Sequence, residues 1–214
     1  MQVRQVLLAR AIQLARAATN IGWLPDLFQE IGAKYEFAIV PKPEEVFRAE
    51  PNKAVFKHGR LDTNVVDTLT LNIDGFVVDT TTSTDNAALF LNDFLQWLTA
   101  RVPNLKEVGK PFYLSQLEVN LEFGQFRNIL GSVGQQIFEL LERYELSGVK
   151  PYAFSNLQIA QDPLGKIGLQ LSAFGIERRL NVAFADNIFF AQAPLKTQDH
   201  ISVLESLERA LAGI

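Results

Sequence analysis

The most restrictive stretch of the chain runs from Asp67 to Thr80. Apolar and polar residues alternate up to Asp74, with Leu69, Leu71 and Ile73 at every second position. Period-two alternation describes a strand with one buried face. Asp74-Gly75 follows, a pair favoured in two-residue type I′ turns because both central positions need positive φ. Folding there predicts Ile73 opposite Phe76, Leu71 opposite Val78 and Leu69 opposite Thr80. Turn chemistry and alternation then agree, and an antiparallel hairpin is expected.

The segments around it read in order. Gln2 to Ala18 predicts a helix closed by Asn20-Ile21-Gly22, free to lie at the periphery. No acidic residue occurs from Met1 to Pro25, while Arg4, Arg10 and Arg16 are six apart. On a helix that spacing advances about 240°, so the three cations form no common face. An ordinary packed helix, or one docking a partner, is therefore expected ahead of a targeting signal. A helical turn over Pro25 to Ile31, strands over Tyr35 to Val40 and Ala54 to His58, and a brief helix over Glu44 to Ala49 precede the hairpin.

After it, Ser83, Thr84 or Asp85 caps a helix to about Arg101, whose apolar face is Ala87, Phe90, Leu91, Phe94, Leu95, Trp97 and Leu98. Tyr113 to Phe123 alternates as a strand, and Gly124 breaks it. The helix that follows runs to Leu146, with Ile137, Leu140 and Leu141 in its apolar stripe. Further strands are expected over Tyr152 to Gln161 (with a bulge near Ser155), Lys166 to Phe174, Ile176 to Phe184 and Ile188 to Ala193. Thr197 then caps a last helix bearing Val203, Leu204, Leu207 and Leu211.

Strand runs joined by hairpins, with long helices inserted singly, predict an α+β fold: a mainly antiparallel sheet with long helices packed on one face. No repeat, low-complexity tract or linker interrupts the chain, so residues 1–214 are expected to form a single domain.

Composition narrows function mainly by exclusion. A net charge of −4 lacks the basic footprint of general nucleic-acid binding. The chain has no Cys, which removes thiol catalysis, disulfides and thiolate-bound metals and fits a cytoplasmic setting. No apolar run reaches the length of a membrane-spanning helix. The two histidines, His58 and His200, are far apart in sequence and make a histidine metal site improbable; each reads as a structural residue. No cofactor motif occurs: Gly-x-Gly-x-x-Gly and Gly-Lys-Ser/Thr are missing. Gly131-Ser132-Val133-Gly134 lies within a helix rather than on a nucleophile elbow.

Three polar groupings remain. Glu118 and Glu122 share the polar side of their strand, but residues four apart stand about 13 Å apart, too far to share a proton. Arg178 and Arg179 are adjacent on a strand and point to opposite faces. If Arg178 or Arg179 faces the same side as Glu118 and Glu122, an ion-pair network is expected, with a ligand-binding arginine as the alternative. The hydroxyl run Thr80 to Asp85 reads as helix capping rather than an anion site, since Asp85 repels anions. With no convergent catalytic set, the chain reads as a non-enzymatic interaction or assembly protein, a homo-oligomer or complex subunit. The alternatives are a binder of a small apolar ligand, lined by some of the sixteen Phe, and an enzyme using sheet-face carboxylates.

Overall fold

The computed structural model describes residues 1–16, 25–42, 53–102, 104–121, 131–143, 155–162 and 171–212. Its strands are β1 (Gln2–Arg16), β2 (Ala54–Leu61), β3 (Asn64–Asn72), β4 (Gly75–Thr80), β5 (Lys106–Asn120), β6 (Asn156–Ile159), β7 (Phe174–Arg178) and β8 (Ile188–Ala193). The helices among the described residues are α1 (Pro25–Lys34), α2 (Thr84–Thr99), α3 (Gly131–Arg143) and α4 (Thr197–Ala212). Hydrogen bonding orders the eight strands β2-β3-β4-β1-β5-β8-β7-β6. Every pairing with a defined register is antiparallel, so the architecture is α+β with an antiparallel sheet.

The N-terminal segment corrects the sequence expectation: residues 2–16 form a strand, not a helix. Ala9, Ala11, Gln13 and Ala15 are buried and alternate with the partly exposed Arg10, Ile12 and Leu14. β4 fixes this parity, pairing Ala9 with Thr80, Ala11 with Val78 and Gln13 with Phe76. Alanine, leucine, glutamine and arginine favour helix, but propensity is a weak prior that tertiary pairing overrides. The cations change meaning with it. Residues 4, 10 and 16 diverge on a helix but share one face of a strand.

By contacts the chain divides into two compact units. The first holds residues 6–115 and 195–197, with strands ordered β2-β3-β4-β1-β5. One buried cluster joins Ala11 and Ala15 of β1, Leu69 and Leu71 of β3, and Phe76 and Val78 of β4 to Phe28 and Ile31 of α1 and Phe90, Phe94 and Leu98 of α2. Aromatic rings dominate it. Tyr35, fully buried, stands 4.6 Å from Phe90, and Phe76 meets Phe94 edge-on at 5.3 Å. The expected strand over Tyr35 to Val40 is reduced to one bridge, Ile39 with Lys57. The adjoining Ala38 N–H donates to the His58 carbonyl at 3.1 Å, and this contact covers the outer edge of β2. α1 continues through Gly32 to Lys34, beyond the expected turn.

The hairpin exists, with its turn one residue earlier than expected. Asn72 pairs with Gly75 and Leu71 with Phe76, so Ile73 and Asp74 form the loop and Ile73 is 65% exposed. Neither loop residue has positive φ, so the turn is not type I′. The reason lies in β1. Gly75 pairs with Leu14, and a Cβ on Gly75 would stand 2.3 Å from the Gln13 carbonyl oxygen. The neighbouring Asp74 carbonyl accepts the Ala15 N–H at 3.0 Å. That close approach leaves no room for a side chain at position 75.

The second unit holds residues 1–5, 116–194 and 198–214, with strands ordered β1-β5-β8-β7-β6. Leu117, Val119, Ile176, Phe189 and Ala191 are buried along its strands, and Leu204 and Leu211 along α4. β5 starts earlier than expected, at Lys106, and its first six residues are exposed. β7 straddles the two expected strands, ending at Arg178 because Leu180 and Asn181 turn the chain. The expected helix over Glu44 to Ala49, Phe123 and Gly124, and the flanks of α3 lie outside the described residues.

Gly75→Ala drives a methyl group into the β1 backbone and is expected to destabilise the protein by about 2–3 kcal/mol, read as a lower urea midpoint.

Candidate functional site

On the second unit, alternation sends Leu117 and Val119 to the buried face and Gln116, Glu118 and Asn120 to the other. Gln192 pairs across to Gly175, which pairs in turn with Gln158; the neighbouring row is Phe190, Glu177 and Asn156. β5 joins the first row through its side chain, Gln116 Nε2 donating to Gln192 Oε1 at 2.7 Å. Between these residues lies a depression of about 140 Å³ with Gly175 in its lining.

Glu118 is the best-connected of the expected site residues. Arg179 Nε donates to its Oε2 at 3.0 Å, and Arg4 approaches its Oε1 at 3.3 Å. Two guanidinium groups on one carboxylate, itself 17% exposed, make a small ion network rather than a general base in waiting. Arg178 goes the other way, its guanidinium 4.8 Å from the Phe189 ring centre, where burial lowers its pKa. Glu122 lies outside the described residues. The structure therefore brings Glu118 and Arg179 together and separates Arg178 from them. Sequence reasoning missed Arg4, because a helix places it on no common face with its neighbours. The buried odd-numbered alanines of β1 carry the parity that finds it.

Elsewhere the polar groups serve the fold. Arg10 holds Asp79 through two hydrogen bonds of 2.6 and 2.9 Å, and Thr68 adds a third at 3.2 Å. The hydrogen bond that Arg10 donates to Asp79 raises the Arg10 pKa against the opposing effect of burial. Tyr35 donates to Asp93 at 2.7 Å, and Lys34 closes on the same oxygen at 2.9 Å. Burial, reinforced by that carboxylate, raises the Tyr35 phenol. Burial also works to raise Asp93, but hydrogen bonds from Lys34 and Tyr35 outweigh it and hold the carboxyl below its ordinary range.

The hydroxyl run before α2 is used for capping. Ser83 Oγ accepts the Asn86 N–H at 3.1 Å, and the Thr84 N–H donates to Thr197 Oγ1 at 3.0 Å. Thr84 Oγ1 accepts the Thr197 N–H at 2.8 Å in return. Two of the donors an anion would use already have hydroxyl partners.

His200 is fully buried, with no hydrogen-bond partner for either ring nitrogen among the described residues and the Phe174 ring 6.2 Å away. Burial lowers its pKa to about 4. No group of three or more His, Cys, Asp or Glu among the described residues is arranged to hold a metal. No protein-family model and no curated protein matches the chain.

Because the unfolded state protonates His200 near pH 6.5 and the native state only near pH 4, stability rises with pH across that window. His200 is expected to account for roughly 2–3 kcal/mol lost between pH 7 and pH 4. Urea titrations of His200→Leu should show that slope removed, with stability at pH 7 equal or higher because two unsatisfied buried atoms are gone.

Proposed function

We propose that this chain is a non-enzymatic interaction or assembly protein, acting first by self-association. The observation that carries the reading is on α3. Ile137, Leu140 and Leu141 are 44%, 52% and 39% exposed, while Phe138 beside them is buried. At 100° per residue these three side chains share one stripe of the helix, the i, i+3, i+4 pattern that helices use for packing. Ordinary isolated surface leucines need no explanation, but a contiguous stripe does.

A single-domain organisation with the helices on one face accompanies this reading. β1 and β5 each supply residues to both units, and α1 and α2 share one cluster with alternate residues of β1, β3 and β4. A cytoplasmic setting is compatible with the absence of cysteine. No helix of the described residues is long and apolar enough to cross a membrane.

Sedimentation across a concentration series is expected to show a dimer or higher species. Leu140→Glu with Leu141→Glu should shift it to monomer without lowering the single melting transition. A strict monomer at every concentration would contradict self-association.

A further inference from the structure

The depression on the open face of β6, β7 and β8 is not used by the assembly reading, and its lining is chemically selective. Its opening comes from Gly175. In the cross-strand row of Gln192, Gly175 and Gln158, the central position has no side chain. A Cβ built there would meet nothing closer than the Leu157 carbonyl oxygen at 3.9 Å, so the gap is open space. Glycine weakens a strand interior and often marks where a ligand approaches the backbone.

We infer that this depression binds a single sugar ring of a carbohydrate. The residues lining it include Asn156, Gln158, Gln192, Glu177 and Phe190, beside the apolar Leu157 and Ile176. Each amide carries both donors and acceptors, as does each sugar hydroxyl, and the carboxylate accepts from neighbouring hydroxyls. Phe190 supplies an apolar surface for the C–H face of the ring. Gln192 is oriented in advance. Its Oε1 already accepts from Gln116 at 2.7 Å, leaving its N–H₂ group for the ligand.

The same lining disfavours other small ligands. Among the described residues it contains no basic side chain, so an anion would meet Glu177 uncompensated. An apolar molecule would strip the amides of water and give them no partner. A small organic cation would suit Glu177 and Phe190 but would face amide N–H donors it cannot satisfy. Size selects further. About 140 Å³ is well below the volume of pockets for drug-sized ligands, which fits one ring and not a folded oligosaccharide.

Saturation-transfer NMR on the full chain, with methyl glucoside, galactoside, mannoside and N-acetylglucosaminide at about 10 mM, tests the assignment at the millimolar affinity a shallow site supports. Transfer to ring protons of at least one glycoside is expected. Gly175→Leu should fill the gap and abolish that transfer while leaving the amide spectrum and Tm intact. Gln158→Ala, on the exposed edge, should weaken binding about tenfold and serves if the leucine variant does not fold. Absence of transfer from every glycoside overturns the proposal. So does transfer unchanged in both variants, or a response to methylammonium and arginine but to no glycoside.

Discussion

The backbone contact between β1 and β4 at Gly75 is the constraint on which the rest of the first unit depends. A Cβ at Gly75 has no room beside the Gln13 carbonyl. The residues of β1 buried with that register are Ala9, Ala11 and Ala15, small side chains, and Gln13, whose amide donates to the Leu14 carbonyl at 2.9 Å. Small side chains on a strand let covering residues approach closely, and the larger rings of α1 and α2 occupy that space. The parity also places Arg4 and Arg10 on the opposite face, where their partners are Glu118 and Asp79. One strand register therefore distributes both the core and the ion pairs.

The aromatic core imposes a second condition. Tyr35 lies among Phe37, Phe90, Phe94 and Trp97, yet its hydroxyl needs a partner when buried. Asp93 on the polar side of α2 supplies it, and Lys34 compensates the carboxylate. His200, in the second unit, has no such compensation among the described residues. The contrast separates a buried polar group that fixes a geometry from one that makes stability depend on pH.

Legibility in the sequence followed the strength of local periodicity. α2 is correct almost residue by residue, because its apolar face and the Ser83 cap are both local signals. β8 is equally clear between Asn187 and Pro194. β1 was hidden because helix-favouring residues occupy a strand whose alternation is of small against large, a pattern that hydrophobicity alone does not register. The turn at Ile73-Asp74 was displaced because its position answers to β1, sixty residues away in sequence. For the candidate site, strand parity separates the two adjacent arginines onto opposite faces, and the structure pairs Arg179 with Glu118. Arg4 and the Gln116–Gln192 bond depend on strand order, which no local pattern carries.

On this account residues 2–16 are a strand whose register against β4 sets which of them face the core. Hydrogen exchange combined with nuclear Overhauser contacts tests this most directly. The account predicts amides of Ala9 to Ala15 protected close to the global unfolding free energy, with cross-strand contacts between Ala11 and Val78. Rapid exchange over these residues, with the sequential i, i+3 contacts of a helix, would contradict it.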